Sequence, residues 1–353
     1  MNITIPEKNK KPGVCYVATD DGVELPVVDI TNPAFDPVLI EEKLPQFTAK
    51  STRYMELWAG MPGFARKFMS GRSIFTDQLS RKGGGFVTGM TTYLMKLGSA
   101  NLGKGYAHHW DYEMADSLPM LSVQARLRAM AKLLMEELAG PLGTAARAGS
   151  ALHLLNIAGG CAADSWNTLL LIQREHPEWL AGRRILVRVF DKDSAGPSFG
   201  SRALAALLEE GAPLHGLDVV FEHTPYDWSQ PGTLKNALGD LGRADALVAG
   251  SSEGGLFEYG TDDEISTNLS ALGSALPKDF FLVGSLFRNE RLTRAMKRMA
   301  SMDYRLRDEA PFRELMDRSG WCVERTWMGN PVYWGVVVRP REDIGKRAAT
   351  LPA

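Results

Sequence analysis

The spacing of hydrophobic residues changes near residue 150. Over residues 50–140, apolar side chains recur at the three- and four-residue intervals of amphipathic helices, most clearly over 118–138. Gly140 and Pro141 are predicted to end that last helix, because glycine and proline both interrupt a helical pattern. The first part of the chain is therefore predicted to be mainly helical.

From residue 151 onward, short apolar runs alternate with segments of helical periodicity. Such alternation predicts a doubly wound parallel sheet with helices on both faces. The predicted strands are Leu152–Ile157, Arg184–Phe190, Leu217–His223, Ala246–Ala249, Phe280–Ser285, Trp321–Trp327 and Val332–Val338. The predicted helices are a segment ending at about Arg174, then Gly200–Glu210, Thr233–Leu241, Glu264–Leu272 and Phe312–Arg318. A tight Gly-Asn-Pro turn joins the last two strands, which are predicted to form an antiparallel hairpin at the sheet edge.

The composition is that of an ordinary folded protein. Of the 353 residues, 44% are hydrophobic and 23% are charged, which excludes a disordered, collagen-like or coiled-coil chain. The 40 basic and 42 acidic residues nearly balance, so the overall field does not favour nucleic acid. No apolar stretch reaches the roughly 20 residues of a membrane span, and the N-terminus lacks the apolar core of a signal peptide. We expect a soluble cytoplasmic protein with no nucleic-acid or membrane partner; a homodimer is left open.

No metal site is predicted. Cys15, Cys161 and Cys322 stand far apart, and the sequence has no Cys-x-x-Cys or Cys/His cluster. The acidic residues 262–264 better suit the start of a helix, where the helix dipole favours negative charge.

Small residues follow the first predicted strand of the alternating region. They lie at positions 158–160, 162 and 163, immediately before a predicted helix. Small side chains let a ligand approach the backbone, and the first turn of a helix offers free N–H groups. The same residues would also suit close packing of a helix on a strand.

Acidic and aromatic residues follow the next two strands. Asp191 ends the second strand, where doubly wound folds hold ribose hydroxyls, whereas Asp193 could instead cap a helix. After the third strand, Asp227 lies between Tyr226 and Trp228 and could accept a hydrogen bond from an exocyclic amine. An aromatic face there could stack on a purine or attract a cation. The alternative is an ordinary polar loop with one buried aromatic residue.

The loop after the fourth strand is dense in polar groups. Residues 248–259 combine two serines, carboxylates, glycines and two aromatic residues. That density is typical of a binding loop, although a solvated loop with turn glycines would also account for it.

Taken in order at four successive strand ends, these features resemble the class I S-adenosylmethionine (SAM)-dependent methyltransferases. The resemblance covers about residues 150–338 and implies a doubly wound, Rossmann-like seven-stranded α/β sheet, whose antiparallel seventh strand matches the predicted hairpin. It implies that residues 1–145 form a mainly helical lid or substrate domain over a SAM-binding domain at 146–353. Ala158 and Ala162 depart from the family pattern by replacing glycines, and Asn156 stands where an acid is common.

The resemblance implies SAM as cofactor, with the small-residue turn on the methionine part, Asp191 on the ribose and Asp227 on the adenine amine. The residues expected to bind it are Asn156, Ala158, Gly159, Gly160, Asp164, Asn167, Asp191, Asp227, Trp228 and Ser251. The catalytic candidates are Tyr226, Ser252 and His109. His109, or its neighbour His108, could act as a general base because histidine titrates near neutral pH, but both also suit a helix linker.

The expected activity is methyl transfer from SAM to a small-molecule acceptor, of the kind found in secondary metabolism. An alternative is a SAM-consuming enzyme that resembles the azetidine-2-carboxylate synthases, in which SAM cyclises and releases methylthioadenosine. A SAM-binding regulatory or scaffold subunit is a third, non-enzymatic interpretation.

Overall fold

The computed structural model describes residues 4–35, 51–52, 56, 60–62, 88–102, 109–144, 149–239, 241, 246–299 and 303–341. The side chains at 109, 110 and 299 are not described. Most of the predicted lid between residues 50 and 87, and His108, therefore lie outside the described residues.

A mostly parallel sheet forms the centre of the molecule. A short antiparallel hairpin, β1 (Tyr16–Ala18) and β2 (Glu24–Pro26), precedes it in the chain. The strands of the central sheet are β3 (Ala151–Ile157), β4 (Arg184–Asp191), β5 (Asp218–Pro225), β6 (Ala246–Ser252), β7 (Phe281–Arg288), the two-residue β8 (Leu306–Arg307), β9 (Trp321–Trp327) and β10 (Tyr333–Pro340).

Within the described residues the sheet has eight strands, in the order β5-β4-β3-β6-β7-β10-β9, with β8 beside β7. Strands β3 to β7 are parallel, and β10 runs antiparallel between β7 and β9. This is the strand order of the class I methyltransferase fold, so the predicted fold class and the antiparallel hairpin are confirmed. The predicted fourth strand was too short: β6 continues to Ser252, because Ser251 and Ser252 still pair with Asn156 and Gly284 on either side.

Helices cover both faces of the sheet. They are α1 (Gly89–Leu97), α2 (His109–Ala115), α3 (Leu118–Gly143), α4 (Ala163–Glu175), α5 (Ala195–Leu208), α6 (Gly232–Leu238), α7 (Leu256–Tyr259), α8 (Asp262–Ala275), α9 (Arg291–Met299) and α10 (Glu309–Arg318). Acidic residues 262–264 form the first turn of α8, as predicted, with a capping box between Thr261 and Glu264.

Several helix boundaries differ from the predicted ones, most clearly the end of α3 and the start of α5. Helix α3 passes through Pro141 to Gly143, so the prediction that Gly140 and Pro141 end it was wrong. Burial of Leu142 stabilises this last turn although Pro141 cannot donate a backbone hydrogen bond to the preceding turn. Helix α5 begins five residues before the predicted Gly200, and Gly196, Pro197 and Phe199 near its start are all buried.

The described N-terminal residues share one hydrophobic core with the central sheet. The indole of Trp166 in α4 donates a 2.8 Å hydrogen bond to the carbonyl of Val28, and the hydroxyl of Tyr93 in α1 donates to that of Pro26 at 2.7 Å. Helix α1 and the segment after β2 are thereby held close to the carboxyl edge of the sheet. Of the helices that the structure describes, none is both long and apolar enough to cross a bilayer.

Candidate functional site

The turn between β3 and α4 adopts an unusual backbone conformation. Ala158, Gly160 and Ala162 have φ angles of 55°, 63° and 59°, all in the left-handed region. A side chain costs about 1–2 kcal/mol there, which glycine avoids. The two alanines therefore hold a backbone conformation that glycine adopts without this steric cost. Strain of this kind concentrates at functional sites, where the surrounding structure enforces it.

Asp191, at the end of β4, is bound to this turn. Its Oδ2 accepts a 2.9 Å hydrogen bond from the N–H of Gly160, and its Oδ1 accepts one of 2.9 Å from the N–H of Asp193. Burial raises the pKa of the Asp191 carboxyl above its usual range. Each carboxylate oxygen keeps a further lone pair, so Asp191 can still accept hydrogen bonds from a diol beside the turn.

Asn156 and Asp164 form a buried polar pair beneath the turn. Asn156 Nδ2 donates to Asp164 Oδ1 at 2.8 Å and to Ser251 Oγ at 3.2 Å, while its Oδ1 accepts from the N–H of Gly159 at 3.0 Å. Asp164 is fully buried, and burial together with the charge of Glu253 raises its pKa to about 6. Its Oδ2 has no hydrogen-bond partner among the described residues.

The end of β5 lies directly beside Asp191. The N–H of Tyr226 donates to the Asp191 carbonyl at 3.1 Å. Asp227 pairs with Lys192 at 2.7 Å, and the hydrogen bonds from Lys192 and Ser229 lower its pKa to about 2.

The two aromatic neighbours of Asp227 differ in their contacts. Tyr226 is 3% exposed, and in the part of the chain that the structure describes its hydroxyl has no hydrogen-bond partner. Trp228 is half-buried, and its carbonyl accepts from Asn268.

Ser252 and Asn167 make hydrogen bonds within the protein. Ser252 Oγ donates to the carbonyl of Ile157 and accepts from the N–H of Leu256, each at 2.9 Å, which ties the loop after β6 to the end of β3. Asn167 contacts the segment after β2 through the backbone of residues 28 and 30.

His109 begins α2, and its side chain lies outside the described residues. The catalytic and cofactor-binding roles of these residues stay predictions.

A cluster of buried charges lies next to the polar pair. We call it the charge cluster and define it as Lys96, Arg126, Glu253 and Glu258, each at most 4% exposed. Lys96 pairs with Glu253 Oε2, and Arg126 donates to Glu253 Oε1 at 2.6 Å and to Glu258 Oε1 at 2.9 Å. Ser285 donates to Glu258 at 2.6 Å.

The two glutamates of the charge cluster titrate differently. Burial raises the pKa of Glu258 to about 7, although Arg126 opposes this rise. Burial acts on Glu253 in the same direction, but Arg126 and Lys96 together outweigh it and lower its pKa. Glu253 thus has two cationic partners and Glu258 has one.

Sequence reasoning singled out the polar loop that contains Glu253 and Glu258, but it missed Lys96 and Arg126 and did not predict the charge cluster. Lys96 lies three residues after Tyr93, so it shares a helix face with this apolar side chain. An ionisable residue on such a face is the one signal that could have identified it, since charged side chains are seldom buried without a partner.

Helix α1 begins directly on the glycine turn. A Cβ atom added at Gly160 would lie 2.6 Å from the Cα of Gly89, and one at Gly196 would lie 3.1 Å from the carbonyl carbon of Gly160. Because such distances leave no room for a side chain, the starts of α1 and α5 and the turn can meet only through glycines. In the described ranges, no group of three or more His, Cys, Asp and Glu side chains is arranged to hold a metal ion.

The sequence matches no protein-family model and no curated protein. Solved structures do resemble the fold. A protein of Bordetella parapertussis described as a possible exported protein is 14% identical, with a TM-score of 0.50 over 86% of this chain and 97% of the other. The pyocyanin biosynthetic protein PhzM is 15% identical, with a TM-score of 0.44 over 87% and 73%. The mitomycin 7-O-methyltransferase MmcR is 19% identical, with a TM-score of 0.37 over 65% of this chain; the chain spans 63% of its length. At these identities the likeness concerns the fold alone.

Proposed function

We propose that this protein is a SAM-dependent methyltransferase that acts on a small-molecule acceptor. The observation that carries the proposal is the hydrogen bond between the Gly160 N–H and Asp191, which joins a strained small-residue turn to an acid at the neighbouring strand end. In open α/β sheets, ligands bind outside the carboxyl ends of the strands where the strand order reverses. Here that reversal lies between β3 and β6, next to the turn.

The residues at this edge fit the parts of SAM. Asp191 has free lone pairs for the ribose hydroxyls, and Asp227 lies at the end of the adjacent β5 for the adenine amine. The left-handed turn exposes backbone rather than side chains to the amino acid end. Asp164 supplies a buried carboxylate oxygen that has no partner among the described residues.

When bound, SAM supplies an electrophilic methyl group on its sulfonium. The protein's own contribution is to hold the methyl and its acceptor in line and to exclude water. Tyr226 directly follows β5, on the side of Asp191 expected to hold the adenine, and its catalytic role stays a prediction. His109 remains our candidate for removing a proton where the acceptor is a hydroxyl, and a homodimer stays a prediction.

Calorimetry with SAM and S-adenosylhomocysteine tests the binding. We expect Asp191→Asn to weaken S-adenosylhomocysteine binding by about 10-fold or more, because hydrogen bonds to a charged group contribute about 1.5–3 kcal/mol. Asp193→Asn is the matched control: Asp193 accepts one backbone hydrogen bond, from Ala195, and should leave the affinity nearly unchanged. Failure of the wild-type protein to bind S-adenosylhomocysteine would overturn the proposal.

Mass spectrometry of the SAM products tests the reaction. A methyltransferase releases S-adenosylhomocysteine only when an acceptor is present. Rapid, enzyme-dependent formation of methylthioadenosine from SAM alone would instead favour cyclisation and remove methyl transfer as the function.

A further inference from the structure

We propose that Glu253 and Asp164 form a subsite for a primary ammonium group, that Lys96 occupies the Glu253 side of this subsite in the present structure, and that the α-ammonium of SAM replaces Lys96 on binding. The proposal rests on the proposed function and concerns the same site. In this proposal, Lys96 of α1 and the ammonium group of SAM compete for the same carboxylate.

The strand order gives the direction in which SAM extends. With the ribose on Asp191 at the end of β4, the adenine lies toward β5 on one side of β4. The amino acid end must then extend the other way, toward β3 and β6. The buried carboxylates at those strand ends are Asp164, in the first turn of α4, and Glu253, directly after β6.

The two carboxylates share one environment. Glu253 belongs to the loop that follows Ser252, whose hydroxyl bonds to the Ile157 carbonyl at the end of β3. The charge of Glu253 raises the pKa of Asp164, whereas that of Lys96 lowers it, so all three groups lie within electrostatic reach of one another. An ammonium group has three donors and one positive charge, which suits Glu253 together with the unpartnered Asp164 Oδ2.

Lys96 brings an ammonium group of the same chemistry to this position. It lies in the last turn of α1, and the first residue of α1, Gly89, rests on the backbone of Gly160. Both ends of α1 therefore contact groups expected to surround SAM. A ligand that lies along the turn and brings its own ammonium has to move this helix.

The charge cluster can release Lys96 without leaving Glu253 unpaired. Arg126 contacts both glutamates, so Glu253 keeps its bond to the Arg126 Nε after Lys96 departs. The entering ammonium then restores the second positive charge. Removal of Arg126 would leave two buried carboxylates without that partner, which costs far more.

The substitution Lys96→Met tests the competition. It removes the ammonium but retains an apolar side chain of comparable length. Calorimetry compares S-adenosylhomocysteine, which carries the α-ammonium, with methylthioadenosine, which lacks it. We expect the first to bind about 10-fold more tightly to the variant than to the wild type, while the affinity for the second stays the same.

Lys132→Met is the matched control. Lys132 lies exposed on α3 and pairs with Glu136 at 3.8 Å, so the same substitution there should change neither affinity. An unchanged ratio of the two affinities in Lys96→Met, or a loss of S-adenosylhomocysteine binding, overturns the subsite.

Lysine acetylation of the wild-type protein gives a second test that needs no variant. Lys96 is buried and paired, so we expect little labelling of Lys96 without ligand. Saturating S-adenosylhomocysteine should increase this labelling, whereas methylthioadenosine should leave it unchanged. Equal labelling of Lys96 with both ligands contradicts the proposal. Absence of any S-adenosylhomocysteine binding to the wild type would instead overturn the proposed function, and the subsite with it.

Discussion

The side-chain amide of Asn156 donates a 2.8 Å hydrogen bond to the carboxylate of Asp164. At the end of β3, where the resembled family commonly has an acid, this chain therefore has a neutral residue that orients an acid from the first turn of α4. The negative charge stays at the same edge of the sheet, but it is carried by a different element. Its position at a helix N-terminus is electrostatically favourable.

The raised pKa of Asp164 predicts a pH-dependent difference in stability. The unfolded carboxyl titrates near 3.8 and the folded one at about 6, so the folded state binds more protons between these values. This group therefore lowers the free energy of unfolding as the pH rises through that interval. Asp164→Asn removes this effect. The free energy of unfolding of the variant, relative to that of the wild type, should therefore rise by on the order of 1–3 kcal/mol from about pH 4 to about pH 7. Urea titrations of both proteins measure it; a difference that does not change with pH would contradict the assignment.

The left-handed Ala158 predicts a stabilising glycine substitution. Ala158→Gly relieves the steric cost of the Cβ atom but adds freedom to the unfolded chain. We expect a net gain of about 0.5–1 kcal/mol in the free energy of unfolding. Ala205→Gly, at an exposed position within α5, should lose about 0.5–1 kcal/mol. Denaturant titration compares them, and a loss at both positions would show that the turn is not strained at Ala158.

The charge cluster predicts a large and pH-dependent effect of Arg126→Met. Removal of one partner from a buried ion pair costs about 3–5 kcal/mol. The loss should be smaller at about pH 6 than at about pH 8, because the pKa of Glu258 is already raised to about 7 and the neutral acid needs no cation. Arg325→Met, which breaks half-exposed pairs with Glu136 and Glu137, should cost less than about 1 kcal/mol. Equal losses in the two variants would argue against the cluster.

Two buried tyrosines predict opposite effects of the same substitution. The hydroxyl of Tyr93 donates to Pro26 at 2.7 Å and accepts from the N–H of Val28 at 2.9 Å, so Tyr93→Phe should destabilise by about 1–3 kcal/mol. The buried hydroxyl of Tyr226 lacks a partner among the described residues, so Tyr226→Phe should be neutral or stabilising by about 1 kcal/mol. Thermal unfolding measures both. Strong destabilisation by Tyr226→Phe would mean that its hydroxyl is bound within the protein.

Local patterns determined most of the sheet. Strands such as β3 and β10 could be predicted to within two residues, because an apolar run bounded by turn residues is typical of a buried strand. Asp191 was identified for the same reason, since residues that end parallel strands lie at one edge whatever the rest of the fold does. The length of β6 was not predicted, because Gly250 to Ser252 join the sheet only by pairing with strands distant in sequence.

The charge cluster and the burial of Asp164 were decided by the tertiary structure alone. Lys96 and Glu253 lie 157 residues apart, and Arg126 and Glu258 lie 132 residues apart. No periodicity or spacing links such positions. A charged side chain in a sequence is by default solvated, and only the packing of α1 and α3 against the loop after β6 removes its water and provides its partner. The sequence thus determined which residues end the strands, whereas the fold decided which of their charges are buried together.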